Sequence, residues 1–164
     1  MSILTPSVGT GLIIRWIISS DLAVLEPLAY QCAALQWTEE DFRECFRSVD
    51  TLGKIAEVDG TAVGFLVYKL DHDLHEVFLK NVAVDPEWQR KGIGRALVRS
   101  LDAKLSQAYE RISGLVPETD MSAQHLLRDA GYKATRVLRR WFNEEDAYLM
   151  QKTRAAAVEH RSAS

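Results

Sequence analysis

One stretch constrains this chain more than any other: Asn81 to Leu97, NVAVDPEWQRKGIGRAL. It opens on an apolar strand end (Val82, Ala83, Val84) and turns at Asp85-Pro86. It then runs through Gln89, Arg90, Lys91, Gly92, Ile93 and Gly94 into a helical pattern. A strand, a glycine-spaced basic loop and a helix start, in that order, make an anion site. Glycine lets the main chain approach a phosphate closely, and the first N–H groups of a helix have no internal acceptor. Arg90, Lys91 and Arg95 add positive charge at the same end. The stretch reads as a pyrophosphate cradle.

Two common cradles are excluded by spacing. The nucleoside-triphosphate loop requires G-x-x-x-x-G-K-[ST], a string the chain lacks. The dinucleotide fingerprint requires a third glycine where this chain has Leu97. Gln89-Arg90-Lys91-Gly92-Ile93-Gly94 fits Q/R-x-x-G-x-G/A instead, and it directly follows V-A-V-D-P. That combination resembles motif A of the GNAT superfamily of N-acetyltransferases, whose loop holds the pyrophosphate of acetyl-CoA.

The remaining sequence is consistent with such a domain. At 164 residues, 47% hydrophobic and 26% charged, the chain is long enough to bury one core. A net charge of −3, with no strongly basic stretch outside the motif loop, argues against a nucleic-acid surface. Cys32 and Cys45 show no metal spacing and read as free thiols of a reducing cytoplasm; no metal is expected. MSILTPSVGT lacks a signal-peptide pattern, and Arg15 interrupts the only early apolar run, so no membrane span is expected.

In chain order, residues 1–10 read as a loose leader and Gly11 to Ile18 as a first strand. Ser19-Ser20-Asp21 offers N-cap chemistry for a helix over 21–34, with Leu22, Leu25, Leu28 and Ala29 on one face. Thr38-Glu39-Glu40-Asp41 is a capping-box start for a second helix to about Arg47, striped by Phe42, Cys45 and Phe46. Gly53 to Leu70 is a hairpin turning at Asp59-Gly60, and Gly64 inside it suggests a bulge or a close backbone approach. A strand from about Leu74 to Val84 delivers the motif, whose helix is expected to reach about Tyr109. Arg111 to Val116 is a strand stopped by Pro117; Thr119 or Asp120 caps a helix ending at Ala130 before Gly131. Tyr132 to Phe142 and Ala147 to Lys152 close the chain around Asn143-Glu144-Glu145-Asp146, and 153–164 reads as frayed. The order β-α-α-β-β-β-α-β-α-β-β matches the GNAT fold. That fold is an α/β (mixed-sheet α+β) arrangement of about seven strands with helices on both faces, here one domain over 11–152.

Further strings resemble the ribosomal-protein-alanine N-acetyltransferase type, which acetylates protein N-terminal amines. Trp37-Thr38-Glu39-Glu40-Asp41-Phe42 resembles P-W-[ST]-E-x-x-F, Asn81 to Pro86 resembles N-[IV]-A-V-x-P, and Glu145-Asp146-Ala147-Tyr148-Leu149-Met150 resembles E-D-A-x-x-M. The resemblance implies that Val82, Ala83 and Val84 offer main-chain groups to the pantetheine arm. It also implies that Gln89, Arg90, Lys91, Gly92, Ile93, Gly94 and Arg95 surround the pyrophosphate. The acid–base positions depart from the pattern. Leu115 stands where the family has a glutamate base, Leu127 where it has a tyrosine acid, and Asp120 where an asparagine contacts acetyl-CoA. Trp141-Phe142 replaces a pair of substrate-loop tyrosines. Trp141 and Phe142 either wall the substrate groove or belong to the core. Trp37 and Glu39 are further substrate-side candidates, although a solvated first helical turn accounts for Glu39 as well.

Such a site retains chemistry. A leaving thiolate with a pKa near 8.5 departs without obligatory protonation. An N-terminal amine is roughly a tenth neutral at pH 7, a lysine only about 0.04%. The remaining candidate bases are Glu76, Glu118 and His75, with Glu76 and His75 on opposite faces if both lie in the strand. The expected activity is acetyl transfer from acetyl-CoA to a primary amine, foremost a protein or peptide N-terminus. A small-molecule amine acetyltransferase and a non-catalytic acyl-CoA-binding module are the alternatives. An exposed edge in the last hairpin permits either a monomer or a homodimer.

Overall fold

The structure is a computed structural model, and it describes residues 3–4, 11–32 and 35–154. The expected end of the first helix at 33–34, most of the leader and the tail beyond 154 lie outside the described residues. Two compact units are formed, one from the described parts of Met1–Lys69 with Asn81–Leu97, the other from Leu70–Lys80 with Val98–Ser164. Both use β5, whose two halves fall in different units.

In the first unit the strand order is β1 (Ile3–Leu4), β2 (Leu12–Trp16), β3 (Thr51–Val58), β4 (Thr61–Asp71) and the C-terminal half of β5 (Glu76–Val84). β1, β2 and β3 pair antiparallel in succession, and β3 and β4 form the expected hairpin. Asp59 (φ 50°) and Gly60 (φ 83°) give its two-residue turn the paired left-handed conformations that match strand twist. Within the leader, Ile3 and Leu4 pair with Ile14 and Ile13.

Helices α1 (Leu22–Cys32) and α2 (Glu39–Phe46) cover one face of these strands. The expected stripe of α1 is buried: Leu22, Leu25, Leu28 and Ala29 join Phe42, Ile55, Phe65, Val67 and Ala83 in one cluster. Phe42 stands edge-on to Phe65 at 5.3 Å and to Trp37 at 5.2 Å. Burying a side chain of that size stabilises by about 1.5–3 kcal/mol, so this cluster fixes α2 to the sheet. The capping box is closed both ways: Asp41 N–H donates to Thr38 Oγ1 (3.1 Å), and Thr38 N–H donates to Asp41 Oδ2 (2.8 Å). Arg15 on β2 ties the start of α1 to β3, donating bidentately to Asp21 (both 2.8 Å) and to Glu57.

In the second unit the order is the N-terminal half of β5, then β6 (Arg111–Pro117), β8 (Glu145–Thr153) and β7 (Lys133–Phe142). β5 and β6 are parallel, and the other pairs are antiparallel. Pro117 is the last residue of β6, opposite Ala147, where a missing N–H costs little. Helix α4 (Met121–Asp129) is capped by Asp120, whose side chain accepts from Ala123 N–H (3.1 Å). It ends on Gly131 (φ 98°), with Gly131 N–H on Arg128 O (3.0 Å) and Tyr132 N–H on Leu127 O (2.9 Å).

From β2 onward the observed elements follow the expected order; β1 adds a strand within the stretch expected to be loose, and two further local corrections apply. Helix α3 (Ile93–Arg99) ends well before Tyr109 and tightens into a 3-10 turn at Asp102–Lys104. Ser100 and Asp102 are poor helix formers, and Asp102 is held by Lys152 Nζ at 3.0 Å. Leu101 and Leu105 stay buried without a continuous helix. The strand begins at Glu76 rather than Leu74, because His75 turns left-handed (φ 51°). Among the described residues no helix is long and apolar enough to cross a membrane.

Candidate functional site

The motif turn is held at four points, all in the first unit. β4 carries one residue more than β3 between Gly64 and Ala62, and Val63 is the residue of this bulge. Asp85 N–H donates to that carbonyl at 2.8 Å. The Asp85 side chain accepts from Glu87 N–H (3.0 Å), and Trp88 N–H returns to Asp85 O (2.8 Å), closing the 3-10 turn Pro86–Trp88. The Gln89 amide donates to Val84 O at 3.0 Å, bracing the loop against the strand end. Beneath the motif, Gly64 is the close approach that its sequence context suggests. A Cβ there would stand 2.9 Å from Ala83 O and 3.4 Å from Val84 Cγ2.

Beyond Gln89 the main chain alternates in handedness. Arg90 has φ 62° and Gly92 φ 86°, whereas Lys91 and Ile93 do not adopt positive φ. Alternation of this kind curves successive N–H groups toward one side, the backbone pattern of an anion-binding nest. The first turn of α3 adds N–H groups aligned with the helix dipole. Arg90, Lys91 and Arg95 are exposed around the loop, and Lys91 Nζ lies 4.7 Å from the centre of the Trp88 ring. Ile93 is buried and anchors the helix start, so it presents main chain rather than side chain. The loop thus fits a diphosphate by main-chain donors and by charge.

Val82, Ala83 and Val84 lie at the end of β5. The parallel register of β5 with β6 runs from Glu76–Arg111 to Leu79–Gly114 and stops there. Among the described residues, Val82 to Val84 have no strand partner on that side. An unpaired strand edge with alternating N–H and C=O groups suits an amide-bearing chain laid alongside it. The Val84 carbonyl is the exception, since Gln89 occupies it.

The acid–base candidates are engaged elsewhere. Glu76 accepts from Arg111 Nε at 2.6 Å. Glu118 is exposed and accepts from Asp146 N–H (3.3 Å), while its own N–H donates to Asp146 O (2.9 Å). His75 precedes the strand, so the opposite-face argument does not apply, and its Nδ1 lies 3.2 Å from Ala108 O. Leu127 is buried and Leu115 half-buried, and neither offers a proton. Asp120 serves as the cap of α4.

The substrate-side candidates divide. Trp37 packs on the α1–α2 core, and Glu39 pairs with Arg43 (2.7 Å). Trp141 is 56% exposed, so of its two expected readings the core one does not hold; Phe142 is half-buried. Two amide side chains hold main chain in ways the sequence did not show. Asn81, only 6% exposed, donates to Leu35 O at 3.1 Å, and buried Gln124 donates to Pro117 O (3.2 Å) and Glu118 O (2.9 Å). Asn81 leads the N-[IV]-A-V-x-P string, which does not disclose its partner, and Gln124 carries no distinguishing sequence signal.

The Acetyltransferase (GNAT) family model matches residues 20–132, and the chain belongs to that family of acetyl-CoA-dependent acetyltransferases. No curated protein matches the sequence. Among solved structures, the ribosomal-protein-S18-alanine N-acetyltransferase from Escherichia coli is similar at 24% identity and TM-score 0.76, over 87% of this chain and 93% of that one. Ard1 from Thermoplasma volcanium is similar at 21% identity and TM-score 0.77, over 88% and 98%. Spermidine/spermine N-acetyltransferase SpeG from Vibrio cholerae is similar at 18% identity and TM-score 0.72, over 92% and 97%. At these identities the likeness is one of fold.

Proposed function

We infer that this acetyltransferase moves the acetyl group of acetyl-CoA onto the N-terminal α-amino group of a protein or peptide. Val82 and Ala83 offer main chain to the pantetheine arm, and the loop from Arg90 to Arg95 holds the pyrophosphate, braced by Gln89. The neutral amine nitrogen attacks the thioester carbonyl, and a carbon–nitrogen bond forms as the carbon–sulfur bond breaks. The thiolate leaves without needing a tyrosine acid, and the nitrogen gives up its proton to solvent. The domain over 11–152 acts as one catalytic module in this reading.

The observation that carries the substrate class is the engagement of both candidate carboxylates. Glu76 faces Arg111 at 2.6 Å and Glu118 binds the main chain of Asp146, so neither is poised to strip a proton from an ammonium group. An amine that arrives partly neutral suits this arrangement. The α-amino group, with a pKa of about 7.7–8.0, meets that demand, and amines near 10.4 do not.

The test is thiol release from acetyl-CoA over a panel of free-N-terminal peptides, Nα-blocked lysine peptides and spermidine. Release confined to the free N-termini, rising with pH toward about 8, is expected. Faster release with spermidine or blocked lysine peptides would overturn the reading. Glu118→Gln and Glu76→Gln should each retain the rate within a few-fold, against the roughly 10²–10⁴-fold loss of removing a general base.

A further inference from the structure

β7 differs from every other long strand of the molecule. It runs ten residues, KATRVLRRWF, and all of them are exposed except Leu138 and Phe142, which are half-buried. Among the described residues, neither face of the strand is buried beneath another element and no strand pairs with its outer edge. Long exposed edges are normally shortened, covered or bulged, because an open row of N–H and C=O groups invites a further strand. Two register irregularities against β8, between Ala134 and Arg136 and between Leu138 and Phe142, bend this strand without covering it.

Its side chains narrow what that strand would be. Lys133, Arg136, Arg139 and Arg140 make no side-chain hydrogen bond or ion pair among the described residues. Elsewhere Arg15, Arg43, Arg47 and Arg111 each face a carboxylate. Between the four cations, Val137 and Trp141 are 54% and 56% exposed. A second copy is a poor occupant. Pairing two β7 strands antiparallel over their full length sets Arg136 opposite the Arg139 of the other copy twice, and like charges directly opposed destabilise.

We propose that the outer edge of β7 binds an extended acidic peptide segment of a partner protein. The main chain of the segment continues the sheet, its carboxylates meet Lys133, Arg136, Arg139 and Arg140, and its apolar side chains cover Val137 and Trp141. Trp141, also a substrate-side candidate, belongs to this edge, so the proposal is read by peptide binding and not by transfer to the amine.

Fluorescence anisotropy of the whole chain with labelled peptides of about eight residues tests this. The probes are alternating Glu-Val, its Gln-Val counterpart, the Glu-Val peptide N-methylated at alternate residues, and single-stranded DNA. Saturable, salt-sensitive binding of the Glu-Val peptide is expected, weakened about tenfold or more by Gln-Val, by N-methylation and by R136E/R139E. Unaltered melting and acetyl-CoA binding of R136E/R139E establish that the variant is folded. Equal binding of Gln-Val, no effect of R136E/R139E, stronger binding of DNA, or self-association in sedimentation that excludes the peptide would overturn the proposal. None of these outcomes bears on the thiol-release test.

Discussion

The side-chain amide of Asn81 donates to the main-chain carbonyl of Leu35 at 3.1 Å, joining the motif strand to the connection between α1 and α2. Trp37 N–H donates to the same carbonyl at 2.9 Å, and Glu26 accepts from Glu39 N–H at 2.5 Å. The segment bearing Trp37 and Glu39 is thereby tied to β5 and to α1. Asn81→Ala should cost about 1–2 kcal/mol by leaving the Leu35 carbonyl with one donor fewer. If this segment borders the amine, KM for the peptide should rise while acetyl-CoA affinity stays within about twofold. Paired calorimetry and steady-state kinetics check both.

Gly92 adopts φ 86°, a conformation that costs a residue with a Cβ about 1–2 kcal/mol. Gly92→Ala should flatten the alternation between Arg90 and Ile93. Acetyl-CoA binding should weaken by about tenfold, with a smaller loss of thermal stability, as read by titration calorimetry and melting. Gly60→Ala, also at positive φ but in the β3–β4 hairpin turn, should lower stability without touching acetyl-CoA affinity.

Asp21 gives the first unit a pH-dependent stability. Its hydrogen bonds from Arg15 outweigh burial and hold its carboxyl below the ordinary carboxylate value. A carboxyl depressed in the folded state binds its proton more readily when unfolded. Its contribution is therefore present above the unfolded pKa of about 3.9 and is lost as pH falls through the lower folded value. Asp21→Asn should lower stability at pH 7 by about 1.5–3 kcal/mol, and the deficit should shrink steadily below pH 4 in denaturant titrations.

Lys152 is 1% exposed, with Nζ on Asp102 Oδ2 (3.0 Å) and on Ala130 O (2.5 Å). Removing one member strands the other. Lys152→Met should cost about 3–5 kcal/mol, whereas Lys152→Met with Asp102→Leu should recover most of it, because an apolar pair avoids desolvating two charges. Chemical denaturation of the single and double variants measures the difference.

The sequence disclosed whatever is encoded by local chemistry. Asp59-Gly60 names its turn, Thr38 and Asp41 name their cap, and the glycine-spaced loop names its ligand class within one contiguous run. What it withheld depends on distant partners. Lys152 is no more than the end of the last strand in the sequence, and its partner Asp102 lies far off along the chain. Gln89 reads as part of a phosphate loop, yet its amide is spent on Val84. α3 stops at Arg99 because Lys152 holds Asp102, and helical spacing alone cannot register that contact. The cations of β7 were hidden by averaging: a net charge of −3 conceals four basic side chains on one strand that have no ion-pair partner among the described residues.

The carbonyl that accepts from Asp85 belongs to Val63, the extra residue that β4 holds against β3. Substitutions in the loop that follows Asp85 leave this anchor in place, since a main-chain acceptor is indifferent to side-chain identity. Deleting one residue from β4 would withdraw it and turn the rest of the strand over. The position of the loop is thus inherited through spacing in another strand, and a comparison of relatives residue by residue would pass over the feature that preserves it.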